Sequence, residues 1–345
     1  MHCLLIYYMF KICDINILIR YCPTLILFTY GIGSAIFSVF FANDIREIVT
    51  YFDKICWPLN IIRNEAQIKL KRKCLIINIF MSCFFLHVAS TFTVNAPYFG
   101  DQRDFFISIR VFEEYFGEWS YIPYYFYFVG FPFLYYHFLK LCLIFVYVSL
   151  QSQLQFFIVE EYLFETHQTD DLKRWKYLED AQYQREIGKS LRLCITHHNA
   201  LKRLVKLMMN VVLTVMPFFL LLGVFLFISC FAFIINFADT MTNILKIRIF
   251  MYAVTIVCTT IMLCWNGQQL IDVTSKIFYV LSGAPWYYWN LKNIKTLLIF
   301  MTNCTKNEGI ILAGICLDYN MFVSVLRISI SYALVLYNLH KSSVI

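Results

Sequence analysis

Long hydrophobic stretches alternate with charged ones along this chain, and that rhythm is the first thing it shows. Residues 21–42, 74–100, 119–139, 207–238 and 249–271 contain no Asp, Glu, Lys or Arg. Each reaches the roughly 20 apolar residues that a helix needs to cross a hydrocarbon core. Residues 141–159 prolong the third stretch past a lone Lys140, and 320–340 form one more, interrupted only by Arg327. The opening residues 1–10 are uncharged but too short to cross, and Lys11 and Asp14 break their continuation. With no basic run before them and no small-residue cleavage site behind, they read as an incomplete first span rather than a signal peptide. The pattern predicts one domain, 1–345, with spans at 1–19 (partial), 21–42, 74–96, 121–150, 207–236, 248–271 and 294–340. The last of these combines an inner helix with the final spanning helix. The fold class is an all-α polytopic membrane protein, a seven-helix bundle whose first helix is truncated.

The loops give the bundle a direction, because Lys and Arg in short loops are retained on the cytoplasmic side. Seven fall between positions 43 and 73, including "KLKRK" at 69–73, and nine between 151 and 206. The alternating loops are poor: Arg103 and Arg110 in one, Lys246 and Arg248 in the other. This asymmetry predicts a cytoplasmic N-terminus and an extracellular C-terminus, opposite to a G-protein-coupled receptor. The inner stretch 151–206 alternates charge and apolar residues at helical spacing, so helices there extend the fourth and fifth spans into the cytoplasm.

Composition agrees: 60% hydrophobic, 19% aromatic and only 15% charged residues cannot be buried in one soluble core of 345 residues. The net charge of +7 suits a face lying near anionic lipid and calls for no nucleic acid. The thirteen cysteines lie mostly inside the spans and read as small buried hydrophobes. Of the seven histidines only His197 and His198 adjoin, and neighbours on a helix diverge by about 100°, which is awkward for a shared metal. There is no phosphate loop, Cys-x-x-Cys or nucleophile elbow, so no enzyme and no cofactor is expected.

Polar groups inside spans are where function concentrates in a membrane protein. Thr24, Thr29 and Tyr30 sit in the second span. His87, Ser90, Thr91 and Thr93 sit in the third, "WSYIPYYFYFVGFPF" opens the fourth, and Phe250, Tyr252 and Thr255 lie early in the sixth. Aromatic walls with a few hydroxyls at a common depth make a pocket for a small, mostly apolar molecule. Taken singly, each aromatic reads equally as part of an interfacial belt; taken together they favour the pocket. The candidate ligand contacts are Tyr30, His87, Thr91, Tyr124, Phe128, Phe250 and Tyr252.

The end of the chain carries a resemblance. "CWNGQQLIDVTSKIFYVLSGAPWY", then "LKNIKTLLIFMTN", then "LAGICLDYNMFVSVLRISISYALVLYNL" resemble, in that order, the C-terminal signature of insect odorant receptors, and "CITHHNALKRLV" resembles the family's start of the fifth span. The resemblance is strong over about 190–340 and weaker over 21–190. It implies a tuning subunit that joins an odorant receptor co-receptor in a heterotetramer, a cation channel gated by small volatile ligands without a G protein. It also implies the plasma membrane of a sensory dendrite, and a pore lined by the final helix. Aligning "SYALVLYNL" on the family's closing helix places the gate at Val335 and Leu339, with Asn338 as polar neighbour; the two apolar residues are four apart, so they share a helical face. Arg327 then faces the edge of an inner vestibule or a neighbouring subunit rather than hydrocarbon. The family usually has a longer N-terminus and a complete first helix, unlike "MHCLLIYYMF". A gustatory receptor of the same superfamily is the alternative, although its closing helix more often ends in Thr-Tyr and a Gln-Phe pair; a transporter or membrane enzyme is the more distant one.

Overall fold

The computed structural model describes residues 2–12, 14–95, 106–167, 178, 180–237, 240–306, 309–312 and 315–344. Eleven α-helices follow one another among the described residues: α1 (His2–Ile12), α2 (Ile15–Phe40), α3 (Ala42–Ile55), α4 (Asn64–Asn95), α5 (Ile107–Phe116), α6 (Tyr121–Val129), α7 (Phe131–His167), α8 (Ala181–Phe237), α9 (Asn243–Ser282), α10 (Leu291–Cys304) and α11 (Tyr319–Val344). A minimal antiparallel pair, Ile311–Leu312 with Ile315–Cys316, precedes α11. Six helical runs are long and apolar enough to cross a membrane: α2, α4, the run from α5 through α7, α8, α9 and α11; α1 is a shorter apolar helix. An all-helical polytopic membrane bundle is therefore the fold.

Local chemistry sets several boundaries. The Asp14 carboxylate accepts from the Asn16 amide at the start of α2, the Thr242 hydroxyl from Leu245 at α9, and the Asn290 side chain from Asn293 at α10, each satisfying an orphan N–H of a first turn. The apolar stretch 121–150 is carried by two helices in near continuity: Gly130 interrupts α6 and α7, yet its amide still reaches Phe126 O at 3.2 Å and its carbonyl accepts from Leu134 at 3.1 Å. Charged residues do not end α7 and α8, which run on to His167 and back to Ala181. The helix after the "SGAPW" turn starts at Leu291, capped by Asn290.

The bundle has two ends of different character. At the α10 end, α3, α7, α8, α9 and α10 bury a continuous apolar core that includes Phe156, Leu163, Leu201, Ile277, Leu281 and Phe300. Along its middle the outer faces are apolar and exposed, as at Leu75, Ile76, Ile79 and Phe80 of α4, the pattern expected where lipid replaces water as solvent. The α10 end is tied by buried amides. Gln153 Nε2 of α7 donates to Asn266 Oδ1 of α9 at 2.7 Å and to its carbonyl at 3.0 Å. Gln184 of α8 accepts from the Asn290 amide at 2.8 Å and donates to Tyr288 O at 2.8 Å. Gln155 brackets Trp57, accepting from its amide at 2.9 Å and donating to its carbonyl at 3.2 Å, and the His197 ring stacks on Trp57 at 4.1 Å. His198 turns the other way, edge-on to Phe156 and Phe300 with its Nε2 3.7 Å from Cys304 Sγ. The two histidines thus serve packing on separate sides of α8. All twelve cysteines among the described residues are free thiols.

Candidate functional site

Helical spacing gathers the polar side chains of α4 and α9 on facing surfaces at the α5 end. His87 and Thr91 are four residues apart, and Tyr252 and Thr255 three, so each pair shares a face. His87 Nε2 lies 3.1 Å from Thr255 Oγ1 and 3.2 Å from Met251 O. The Met251 carbonyl can only accept, and the Thr255 hydroxyl already donates to it at 2.9 Å; the proton of the imidazole therefore sits on Nε2. Thr91, fully buried, donates to His87 O at 2.9 Å and lies 3.5 Å from Thr255 Oγ1. From α7, Tyr135 donates to the Tyr252 hydroxyl at 2.9 Å. One turn before Tyr252, the buried Arg248 donates from Nε to Val94 O at 3.2 Å.

Aromatic rings wall this polar set. Phe106, Phe128, Phe131, Phe233 and Tyr252 belong to one buried apolar group, with Tyr124, Tyr127 and Phe28 packed against it. Phe131 stands 4.9 Å from Phe128 and 5.1 Å from Tyr127, and Tyr124 is 4.8 Å from Phe128. Phe92 meets Tyr135 edge-on at 5.7 Å. Such a site offers hydroxyl and imidazole hydrogen bonds inside an aromatic enclosure, which suits a small molecule with one or two polar atoms.

The candidates from the sequence divide accordingly. His87, Thr91, Tyr124, Phe128 and Tyr252 come together at the α5 end. Tyr30 stands apart: its ring lies between Phe138 at 4.7 Å and Phe219 at 4.4 Å, on the wall of a separate cavity that α4 does not reach. Phe250 is 65% exposed and outside the aromatic group, because two residues along a helix turn it about 160° from Tyr252. Tyr135 and Arg248 carry the geometry without having been singled out. Tyr135 had a readable signal, lying seven residues, about two turns, beyond Phe128. On α11, Ser329 and Ala333 are fully buried, whereas Val335 is 51% exposed and Asn338 and Arg327 are exposed; the Leu339 side chain lies outside the described residues. The helix leans on the bundle by a narrow seam of small residues and presents the rest of its circumference outward.

Comparison with known proteins bears on what this bundle is. The olfactory receptor OR5 of the insect Machilis hrabei, solved in complex with eugenol, superposes with a TM-score of 0.71 at 10% sequence identity, over 98% of this chain and 88% of that one. A second structure of the same receptor superposes with a TM-score of 0.67 at 10% identity, over 91% of this chain and 80% of that one. At that identity the likeness is one of fold. No curated protein matches the chain. The family model described as 7tm Odorant receptor matches residues 14–330. This chain therefore belongs to the odorant receptor family, as a multi-pass membrane receptor and not an enzyme.

Proposed function

We propose that this chain is the tuning subunit of an odorant-gated cation channel, binding a small volatile molecule among His87, Thr91, Tyr135, Tyr252 and Thr255. The observation that carries the reading is the pair of hydrogen bonds between helices, His87 to Thr255 and Tyr135 to Tyr252, inside aromatic walls. A guest with one oxygen can take over either bond and alter how α4, α7 and α9 sit together. Eugenol, with which the Machilis receptor was solved, is a small aromatic molecule with two oxygens, one more than this minimum. Tyr124 and Phe128 would shape the apolar part of the pocket.

In this reading the α5 end faces outside and the α10 end, with its basic loops, faces the cytoplasm of a dendrite, the N-terminus inside and the C-terminus outside. The exposed face of α11 supports assembly around a shared pore with an odorant receptor co-receptor, with Val335, Asn338 and Leu339 at the constriction. The test is current in cells expressing this chain with the co-receptor, against a panel of small oxygenated volatiles. An active volatile should lose at least about tenfold in potency in His87→Ala or Tyr252→Phe, a tenfold change corresponding to about 1.4 kcal/mol. A chain delivered to the surface that answers nothing, or variants with unchanged potency, would overturn the assignment.

A further inference from the structure

A partly open cavity of ≈ 170 Å³ lies between α2, α3, α7, α8, α9 and α11. Its walls are hydrocarbon except for a few groups. The hydroxyls of Thr259 and Thr260 are spent on their own helix, donating to Thr255 O at 2.7 Å and Ile256 O at 2.9 Å. Tyr30 differs, for its hydroxyl has no hydrogen-bond partner among the described residues. A phenol that meets no protein acceptor along an apolar wall keeps its donor for a guest. On the far side, Leu317, Met321 and Val325 bring the beginning of α11 into the wall.

Size and chemistry together define a guest. An engineered apolar cavity of about 150 Å³ in another protein stays dry and takes up benzene, so this one accommodates a ring or short chain of roughly six to eight heavy atoms. The spare donor on an otherwise apolar wall selects a molecule with a single acceptor oxygen. We propose that this cavity is a second ligand site, taking a benzene-sized, largely apolar molecule that accepts a hydrogen bond from Tyr30, and that its occupant bears on α11 rather than on the His87–Tyr252 set. Tyr30, placed by sequence among the ligand contacts, then serves a different compartment. A molecule there touches the helix that the channel reading assigns to the pore; its effect on current rests on that reading, and its occupancy does not.

Occupancy is read directly by photolabelling. The full chain, purified in lipid nanodiscs, is irradiated with 3-azibutanol, a four-carbon diazirine alcohol, and adducts are mapped by mass spectrometry. Adducts are expected on peptides carrying Tyr30, Cys142, Met208 or Met321, at least about fivefold weaker in Val212→Trp, which fills the cavity, and unchanged in His87→Ala. Should Val212→Trp fail to fold, Tyr30→Phe keeps the ring and removes the donor, and should weaken labelling by the alcohol but not by a diazirine alkane of the same length. Labelling confined to lipid-facing residues such as Leu75 and Ile79, or cavity adducts indifferent to both variants, would overturn the proposal. Loss of odorant response in His87→Ala with cavity labelling intact separates the two sites.

Discussion

Gly267 offers the sharpest test of how α11 is seated. It lies on α9 within "WNGQQ", facing the backbone of Leu317 just before α11 begins. A Cβ at that position would stand 2.0 Å from Leu317 O, where real contacts essentially never fall below 3.0 Å. Replacement by Ala therefore demands a separation of at least 3.0 − 2.0 = 1.0 Å between α9 and the chain entering α11. The neighbour is backbone, so no side chain can rotate away. Two effects of opposite sign compete. Ala improves helix propensity by about 1 kcal/mol over Gly, while overpacking a fitted contact costs typically about 1–3 kcal/mol. The balance is a loss of about 0–2 kcal/mol for the seated arrangement, falling on the joint that holds α11 rather than on the whole bundle. Gly267→Ala should lower the thermal midpoint of the purified receptor, or leave it level, and shift basal and ligand-evoked current together. A raised midpoint with normal currents would mean that propensity acts alone and that α9 and α11 do not approach as described.

Other expectations follow from the ties at the α10 end. Gln153→Leu strands the buried Asn266 amide and should destabilise by about 1–3 kcal/mol in a thermal melt, with the double variant Gln153→Leu and Asn266→Leu recovering part of the loss. Burial pushes the Cys304 thiol up to about 12 from an ordinary 9.0; the folded chain therefore holds the proton more tightly than the unfolded one. The stability this gives is complete below about 9 and is lost as pH rises towards 12, so Cys304→Ala should flatten the alkaline limb of a stability-versus-pH curve. Exposed Arg327 takes part in assembly or conductance under the channel reading, so Arg327→Gln should change current amplitude or subunit association, and an altered ranking of odorants at normal amplitude would contradict that role.

Much of the fold was legible because lipid imposes a simple rule: a run of uncharged residues such as 207–238 has few alternatives to a spanning helix. The extension of α8 behind Lys206 was legible as well, from the helical spacing of apolar residues between the charges. The helix runs back to Ala181 because Ile187, Leu191, Cys194 and Leu201 keep an apolar face against α3 and α10. That His87 and Thr91 share one face of their helix, and Tyr252 and Thr255 one face of theirs, could be read from helical spacing alone. Phe250 and Tyr30 could not be sorted, since hydropathy gives an aromatic its depth but not its azimuth around the helix. Tyr135 stands beside another tyrosine in "FLYYHFL", where one faces the bundle and the other, Tyr136, is 59% exposed. Its two-turn spacing from Phe128 was the one signal in the sequence that separates them.

The uninterrupted length of α8 carries a mechanical consequence. Its 57 residues make a rod of about 85 Å at 1.5 Å per residue, nearly three times the thickness of a hydrocarbon core of about 30 Å. The foot is clamped through Gln184, and Pro217 lies within the rod, where a missing amide permits bending. Beyond Pro217 an arm of about 30 Å remains, and a 5° flexure there would displace its tip by about 2.6 Å. Near that tip, Phe233 belongs to the aromatic enclosure while the adjacent Ala232 packs with Ala333 of α11. A lever with both contacts on consecutive residues needs no relay of intermediate side chains: whatever tilts it moves the aromatic cluster and the final helix in the same stroke.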